Sequence, residues 1–478
     1  MAVVPGNTVK MLVRAALLFV CIHAAAADGP YSFIKQLGGP GRQLVYAVDV
    51  DRDGNIAIAG ALEGSADFGG GPLTSAGHAD MFVAKFNARG EHLWSKRFGS
   101  RDYEVFVQVR FDSQGNLVLA GVAEGAVDFG GGILSPDDPY DICLVKFGPD
   151  GSHLWSRRIG SKGSQSVGGM ALDGSDNIVL AGTYSGVLDF GLGPLPPGNF
   201  GSIYLAKLTS SGMPVFSRAF SSVTGTDAQA TRVAVSPAGR IAMSGPFLGK
   251  LDIGGHVLTA PAPYGFDSYV AEFEADGTPS WAQAYEIVQP ALAFASGDDL
   301  VMSAGTAILQ SVTIGSDVFS GQGVVMARFD TAGSPRWARF FPGGFGNASG
   351  STPLMVDAAG GITWLGTGSS GDLGNGPLPM HKDDYDIVIA RLDSEARLIS
   401  ATVHGDKRPQ FLASVARGPA GEIVVAGSFS GAIAFGDVTL YDSDGSGLTE
   451  GSEQTEEDMF LVGIKGPAPR RRSSRPSS

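Results

Sequence analysis

The sequence has 478 residues, of which 43% are hydrophobic and 17% are charged, and it contains 70 glycines and 27 prolines. This composition excludes a disordered chain, because disorder needs few apolar residues and many charges, and it excludes long helices, because glycine and proline destabilise helix interiors. The formal net charge of −14 opposes binding to nucleic acid phosphates or to anionic lipid headgroups, so neither is an expected partner.

The first 27 residues have the pattern of a secretory signal peptide. Lys10 and Arg14 precede an apolar run at 15–22, and four alanines at 24–27 provide a small-residue cleavage site before Asp28. The run is too short to span a bilayer, so we expect an exported protein and not an integral membrane protein. A helix packed on the domain is the alternative for this segment.

The two cysteines agree with export. Cys21 lies in the predicted signal peptide after Val20, whereas a lipidated cysteine normally follows Gly, Ala or Ser, so we expect no lipid anchor. The mature chain would keep Cys143 alone, within the apolar run 142–145, which predicts a core residue and no intramolecular disulfide. We expect the protein to be secreted or to reside in the cell envelope, in the periplasm or at the cell surface.

An internal repeat runs through the rest of the chain. The segment HLWSKRFGS at 92–100 returns as HLWSRRIGS at 153–161, and weaker copies continue the series. The anchor residue of this segment recurs at Phe33, Trp94, Trp155, Phe216, Trp281, Trp337 and Ile399. The separations are 61, 61, 61, 65, 56 and 62 residues, which predicts seven copies of one structural unit.

Each repeat predicts four short strands, which we call a, b, c and d. The first complete copy reads YAVDV, a turn DRDG, NIAIAGAL, a loop containing DFGGGPL, DMFVAKF, a turn NARG, and HLWSKRF. Tight turns join a to b and c to d, and a longer loop joins b to c. Seven four-stranded antiparallel sheets are typical of a β-propeller, with strand a at the axis and strand d outside. A solenoid of the same repeat is the competing geometry.

The two ends of the repeat region favour a closed ring. A lone strand d at 31–37 begins the series, and a strand c at 459–465 ends it without a d partner. Pairing these strands would complete the seventh blade and remove two exposed strand edges. We therefore predict an all-β, seven-bladed β-propeller over residues 28–466, followed by a disordered basic tail at 467–478.

Several motifs together resemble the SBBP (seven-bladed β-propeller) repeat family of bacterial exported and surface proteins. They are the strand Trp94 to Gly99, the turn Asp112 to Asn116, the strand Leu119-Ala120-Gly121, Asp128-Phe129-Gly130, and Asp80 to Phe86. The resemblance covers essentially residues 31–465. It implies the fold and an extracytoplasmic location but no chemistry, because propellers serve many functions. The fifth repeat departs most, with Gly321-Gln322-Gly323 where an Asp precedes strand c.

No catalytic arrangement follows the repeat. Asp-Phe-Gly occurs at 67–69, 128–130 and 189–191 without the other kinase motifs, which favours a turn with a buried aromatic. The predicted strands a offer Asp49 and Arg110 and little else for an axial metal or acid–base site. We expect no enzyme; a carbohydrate-active hydrolase or lyase with an axial site is an alternative.

Calcium is the cofactor that the sequence leaves open. The b–c loop of the seventh repeat, YDSDGSGLTEGSEQTEED at 441–458, is strongly acidic. Its candidate ligands are Asp442, Asp444 and Glu450. Clustered carboxylates can bind Ca²⁺, although a solvated acidic loop is the alternative. The turn at 49–54 starts like a calcium loop, but Gly60 stands where a bidentate Glu belongs, which favours a hairpin turn. A calcium-stabilised surface adhesin is thus a second alternative function.

Ligand binding is predicted on the face formed by the b–c and d–a loops, because these vary most and because binding residues favour loops on a rigid frame. The candidate binding residues are Tyr103, Asp137, Asp138, Tyr140, Tyr264, Phe266, Asp383, Asp384 and Tyr385. Aromatic rings beside carboxylates suit a glycan, a peptide or a basic protein patch; tyrosines that only cover the blade ends are the alternative. The predicted function is an exported, non-catalytic binding or scaffold module for an extracellular glycan, peptide or protein.

Overall fold

The computed structural model describes residues 23–24, 29–138, 140–160, 162–222, 227–260, 267–306, 311–347, 353–381, 385–405, 410–442 and 457–466. The regular structure of these residues is β-strand. None of them belongs to a helix long and apolar enough to cross a membrane.

Seven antiparallel sheets, the blades, make up the fold, and neighbouring strands in each blade follow the order a, b, c, d. Blade 1 contains Gln43–Val50, Ile56–Leu62, Asp80–Phe86 and His92–Phe98. Blade 2 contains Glu104–Phe111, Leu117–Ala123, Asp141–Phe147 and His153–Ile159. Blade 3 contains Gly169–Leu172, Ile178–Gly186, Gly198–Leu208 and Pro214–Ser222. Blade 4 contains Arg232–Val235, Ile241–Phe247, Asp267–Phe273 and Pro279–Tyr285.

The remaining three blades follow the same order. Blade 5 contains Val288–Phe294, Leu300–Thr306, Gly323–Phe329 and Pro335–Pro342. Blade 6 contains a strand a in two pieces, Phe345–Asn347 and Leu354–Val356, then Ile362–Gly368, Asp386–Leu392 and Leu398–His404. Blade 7 contains Gln410–Arg417, Ile423–Phe429, Asp458–Ile464 and, from the other end of the chain, Tyr31–Leu37.

The two ends of the chain close the ring, as predicted. Tyr31–Leu37 pairs antiparallel with Asp458–Ile464, so that Leu37 lies opposite Met459. This pairing confirms the seven-bladed propeller and excludes the solenoid; the predicted last strand, 459–465, is displaced by one residue. His23–Ala24 adds a two-residue fifth strand outside blade 7. Cleavage after residue 27 would remove that strand and leave the blade with its four.

Apolar contacts between neighbouring blades form the core. Each of the seven blade interfaces holds a large buried cluster drawn from both neighbours. At the interface of blades 7 and 1, for example, Phe33 and Leu37 pack with Phe82 and Phe86. Central strands such as Ile56–Leu62 are buried at every position. Because both faces of a blade are covered, these strands are continuously apolar and do not alternate.

At five of the seven blade junctions, the repeated anchor residue packs on the c–d turn of the next blade. Trp94 in strand d of blade 1 lies against Gly151 in the c–d turn of blade 2, and its Nε1 donates to the Pro149 carbonyl (3.0 Å). Gly151 has φ +80°, and a Cβ there would lie 3.0 Å from the Trp94 ring. The equivalent pairs are Phe33–Gly90, Trp155–Gly212, Phe216–Gly277 and Trp281–Gly333. The regular spacing of the anchors thus reflects a contact that is repeated around the ring.

Each b–c connection begins with a short hairpin or turn at the perimeter. The hairpins are Ser65–Asp67 with Pro72–Thr74, Val127–Asp128 with Ile133–Leu134, Lys250–Ile253 with His256–Thr259, Ser311–Ile314 with Asp317–Ser320, and Ala432–Phe435 with Val438–Tyr441. In blade 1 the hairpin buries Phe68 completely against Phe82, and the Asp67 N–H donates to the Gly38 carbonyl at the end of the previous outer strand (3.2 Å). This confirms that Asp-Phe-Gly is a turn with a buried aromatic. The hairpin or turn that begins each b–c connection thus lies at the perimeter, and the part of the connection after it leads back to strand c.

Candidate functional site

Hydrogen bonds join the d–a loops to the b–c connections on one face, which we call the loop face. The Glu104 N–H donates to the Ala79 carbonyl (2.8 Å), and the Gln165 N–H donates to the Tyr140 carbonyl (3.0 Å). In both cases a d–a segment contacts the b–c connection of the preceding blade. The a–b and c–d turns lie at the opposite ends of the strands, on the turn face.

A pocket of about 450 Å³ opens on the loop face where blades 2, 3 and 4 meet. Its polar lining consists of Ser164, Gln165, Ser166, Thr183, Ser185, Asp227 and Gln229. The rest of the lining consists of Val122, Tyr140, Tyr184, Gly201 and Ala228. The volume falls within the range of about 300–1,000 Å³ that is usual for small-molecule sites.

Small residues in the segment that leads into strand a of blade 3 leave room for the pocket. One repeat of 61 residues places Ser164 and Ser166 at the positions of Tyr103 and Val105, which fill the equivalent space between blades 1 and 2. Gly168 also passes so close to blade 4 that a Cβ would lie 1.8 Å from the Ala230 carbonyl oxygen. The regular strand a of blade 3 starts only at Gly169. The residues before it remain bonded to strand b, because the Ser166 N–H donates to the Thr183 carbonyl (2.9 Å) and the Gly168 N–H to the Ala181 carbonyl (2.9 Å).

Some polar groups of the pocket hold its walls together, and others are available to a ligand. The Ser166 Oγ accepts from the Thr183 N–H (3.2 Å), and the Ser185 Oγ accepts from the Ser164 N–H (2.9 Å). The Gln165 Nε2 donates to the Gly163 carbonyl (3.0 Å). Within the described part of the chain, no hydrogen bond uses the side chains of the other four polar pocket residues, Ser164, Thr183, Asp227 and Gln229. These four groups therefore present free donors and acceptors to the pocket.

Tyr184 forms an inert part of the wall. Its side chain is 1% exposed, and its hydroxyl donates to the Pro196 carbonyl (2.7 Å). Burial raises the pKa of the Tyr184 hydroxyl, so the group stays neutral over the physiological pH range.

Two predicted binding residues, Tyr140 and Asp138, are brought to the pocket. The Tyr140 ring lines it and is 39% exposed, on a backbone with φ +67°. The Asp138 Oδ2 accepts from the Gly163 N–H (2.9 Å) and so ties the loop that carries Tyr140 to the next d–a loop. Left-handed backbone at a non-glycine residue is costly and persists where its surroundings enforce it. The neighbouring Asp137 is exposed and does not line the pocket.

Tyr103 lies outside the pocket lining. It is half-buried and packs on a small cluster of Ala61, Ala79 and Val105. Burial, together with the neighbouring Tyr103, raises the pKa of Tyr46 to about 12. Tyr103 therefore covers the crevice between blades 1 and 2, as the alternative interpretation of these tyrosines proposed.

The other predicted binding residues are not gathered with the pocket. Tyr385 is 61% exposed just before strand c of blade 6, outside the pocket lining. Tyr264, Phe266, Asp383 and Asp384 lie outside the described residues.

The predicted calcium ligands can be placed only in part. The Asp442 Oδ2 accepts from the Gly431 N–H (2.6 Å), and the side chain is almost fully buried, so this carboxylate helps to close a hairpin. Asp444 and Glu450 lie outside the described residues. Among the residues that the structure describes, no group of three or more His, Cys, Asp and Glu side chains is arranged to hold a metal ion.

The calcium-like turn and the axial residues both have structural roles. The Asp51 Oδ1 accepts from the N–H groups of Asp53 (2.9 Å) and Asn55 (2.8 Å), which makes this segment a hairpin turn. The Asp49 Oδ2 accepts from the Phe111 N–H (2.7 Å) in the next blade. Burial raises the pKa of Asp49 and lowers that of Arg110, and the opposite charges offset part of both shifts.

Most pocket residues were not predicted from the sequence. Serine, threonine and glutamine in strand-like segments carry no distinctive motif. The available signal was a break in the repeat: Ser164 to Gly169 replaces a segment that reads Tyr-Glu-Val-Phe-Val-Gln one repeat earlier. A comparison of equivalent positions would have identified this loss of bulk.

Comparisons with known proteins yield distant similarities. No protein-family model matches the chain. The regulatory protein FlaEY of Caulobacter vibrioides is 26% identical over 160 residues, which are 32% of this chain and 17% of that protein. An uncharacterised WD repeat-containing protein of Acanthamoeba polyphaga mimivirus is 22% identical over 158 residues, which are 29% of this chain and 11% of that protein. The matches thus span a small part of either relative.

Among solved structures, the Neurospora crassa Pan2 WD40 domain aligns over 90% of both chains with a TM-score of 0.44 and 10% identity. A PL25 ulvan lyase aligns over 82% of this chain and 93% of its own, with a TM-score of 0.41 and 12% identity.

Proposed function

We propose that this protein is an exported, non-catalytic binding propeller that holds its partner on the loop face. The pocket between blades 2, 3 and 4 is the observation that carries this proposal. It combines a hydrogen-bonded wall, an exposed aromatic ring at Tyr140, and polar side chains without partners in the described part of the chain. Pockets with a few convergent polar groups are the usual form of a binding site.

Binding without catalysis agrees with the chemistry of the lining. Asp227 is the one carboxylate among the described residues that line the pocket. Glycoside hydrolases generally use a pair of carboxyl groups, one to protonate the leaving oxygen and one to act on the sugar or on water. A single exposed acid can orient a ligand but does not supply that pair.

Mapping the ligand footprint by hydrogen exchange would test the function. We expect a bound glycan or peptide to slow exchange at 163–166, 183–185 and 227–229, and to leave the turns at 112–116 and 173–177 unchanged. Protection confined to those turns would place binding on the other face and contradict the proposal. Turnover of the ligand would contradict the non-catalytic assignment.

Export and membership of the SBBP repeat family belong to the same proposal. The basic start, apolar run and alanine-rich end of residues 1–27 support export. If the protein is exported in this way, the mature chain begins at Asp28. N-terminal sequencing of the protein recovered from the periplasm or medium checks this, and an intact residue 1 in that fraction would contradict it.

A further inference from the structure

The charge of the pocket restricts the ligands that it can accept. None of its described lining residues is Lys, Arg or His, and Asp227 is the one formally charged side chain. The whole chain also carries a net charge of −14. A carboxylate, sulfate or phosphate placed in this pocket would lose its hydration without gaining an opposite charge, which is strongly unfavourable.

The uncharged polar groups suit a ligand that bears several hydroxyls. Ser164 and Thr183 offer hydroxyls that can donate or accept, and Gln229 offers both an acceptor and two donors. Asp227 can accept from two ligand hydroxyls, and such charge-assisted bonds are stronger than neutral ones. These groups converge from two blades on one pocket.

Tyr140 supplies the apolar surface of the site. Its main-chain carbonyl accepts from Gln165, and the Asp138 to Gly163 bond holds the loop from the other side, so the ring has a fixed support. An aromatic face beside hydrogen-bonding groups matches a sugar ring, which has an apolar C–H face and polar hydroxyl edges.

We propose that the pocket binds an uncharged saccharide unit, with the Tyr140 ring against the C–H face of the sugar and with Thr183, Asp227 and Gln229 bonded to its hydroxyls. This inference rests on the proposed function, because it assigns a ligand class to the same site. It narrows the ligand to neutral glycans and excludes uronic-acid and sulfated ones.

Calorimetry with defined oligosaccharides tests the assignment. The panel contains neutral glucan, mannan and galactan oligosaccharides, uronic-acid and sulfated oligosaccharides, and cationic chitosan oligosaccharides. We expect binding within the neutral set, and an affinity that stays constant between about 50 and 500 mM NaCl, because no ion pair is involved. Binding confined to acidic glycans, or an affinity that falls steeply with salt, would overturn the inference.

Single-residue variants test whether the saccharide binds in the pocket. Tyr140→Ala should weaken the affinity by about tenfold or more, as is usual when a central aromatic is removed, whereas Tyr140→Phe should retain it. Gln229→Ala should weaken binding without touching the strained backbone at Tyr140. Tyr441→Ala is the matched control, an exposed tyrosine on the perimeter hairpin of blade 7 outside the pocket, and should bind as the parent does. Unchanged affinity in both Tyr140→Ala and Gln229→Ala would overturn the inference.

The outcomes separate this inference from the proposed function. If peptides bind and protect the loop face in hydrogen exchange while no neutral saccharide binds, the saccharide assignment fails and the binding propeller stands. If every ligand found protects the turn face, both fail.

Discussion

The Asp67 carboxylate holds a turn together. Its Oδ1 accepts from the N–H groups of Gly69 (2.7 Å) and Gly71 (3.0 Å). Equivalent bonds are made by Asp128, Asp189 and Asp372. An acid that recurs in step with the repeat and bonds to its own turn is committed to structure. In a repeat protein, residues free to bind a ligand are therefore best sought where the repeat is broken, as at Ser164.

His404 makes stability depend on pH. It replaces the apolar residue that ends strand d in other blades, and its ring lies 5.0 Å from Phe435 and 6.1 Å from Tyr31, centroid to centroid. The Ala434 carbonyl and the Thr402 hydroxyl bond to its two nitrogens (3.2 and 3.0 Å), which suits the neutral imidazole. Burial is the main cause that lowers the pKa of His404, and Asp386 opposes the shift.

A lowered pKa in the folded state fixes the direction of the effect. The unfolded chain takes up a proton as the pH falls through about 6.5, while folded His404 takes one up only at a lower pH, so the unfolding free energy decreases below about pH 6.5. The slope is at most about 1.4 kcal/mol per pH unit for one proton. We expect His404→Phe to remove this part of the loss between about pH 7.5 and 5.5, measured by urea denaturation. His78→Gln, at an exposed site, is the control, and an equal acid loss in both variants would contradict the prediction.

At the scale of the strand, one strand-c position forms an ion pair with the a–b turn in several blades, and the two charges of that pair are reversed in blade 4. In blade 3, Lys207 of strand c binds Asp173 of the a–b turn (2.9 Å), and blade 2 has the same pair. In blade 4 the corresponding strand-c residue is Glu272, which binds Arg240 of the turn. The sign of each charge is reversed, but the pairing is kept. Blades 2 to 5 thus keep a neutralised pair between the turn and strand c with different residues, whereas blade 7 has the uncharged Gly463 at this position.

Reversing one member of the blade 4 pair should be costly. Glu272→Lys would bury a second cation beside Arg240, and breaking such a buried pair typically costs about 3–5 kcal/mol of unfolding free energy. The triple variant Ser236→Asp, Arg240→Asn, Glu272→Lys recreates the arrangement of blade 3 and should recover most of that loss. Glu274→Gln, which removes only a half-exposed partner of Arg240, should cost about 1 kcal/mol or less. Chemical denaturation compares the four proteins, and a triple variant no more stable than Glu272→Lys would contradict the explanation.

The elements that recur with the sequence repeat could be predicted from the sequence, and the elements that depart from the repeat could not. Trp94 and most of its counterparts recur because they contact the next blade, so their spacing indicated the blades and the closure. Ile399 is the exception: it is 67% exposed, and Ser400 occupies the position equivalent to Trp94. The perimeter hairpins escaped prediction because strands as short as Val127–Asp128 carry no alternating pattern. The pocket escaped because it arises from side chains that are missing, at Gly168 and Ser166, and because the distance between blades 3 and 4 is a property of the assembled ring.

At the scale of the whole molecule, blade 7 joins strands from the two ends of the chain, and we call the boundary between these two strands the seam. In blade 1, Phe86 and His92 face each other across a tight c–d turn at 87–91. In blade 7, Ile464 and Tyr31 face each other in the same way, with no covalent link between them. The Lys465 N–H donates to the Pro30 carbonyl across the seam (2.7 Å). Blade 7 is thus built like the others, except that its outer turn is absent.

A circular permutant should therefore fold. Joining Ile464 to Tyr31 through a copy of the turn at 87–91, and opening the chain between Gly297 and Asp298, moves the break to an a–b turn where nothing lies within 4 Å of a Cβ built on Gly297. Exposed turns of small residues are the sites where permutation succeeds. The permutant gains one chain connection, between Ile464 and Tyr31, and loses another, between Gly297 and Asp298, so the loop-closure entropy changes little. We expect the melting temperature to stay within about 5 °C of the parent, because each kcal/mol moves it by only a few degrees in a large domain.

The control adds Phe33→Asp to the permutant. Phe33 is buried in the core between blades 7 and 1, so an unpaired carboxylate there should destabilise the ring even though the seam is covalently joined. A permutant that fails to fold, while the parent protein cut only between Gly297 and Asp298 stays folded, would contradict the equivalence of the seven blades. A folded permutant that is indifferent to Phe33→Asp would show that the covalent link, and not the packing of strand d, holds blade 7 closed.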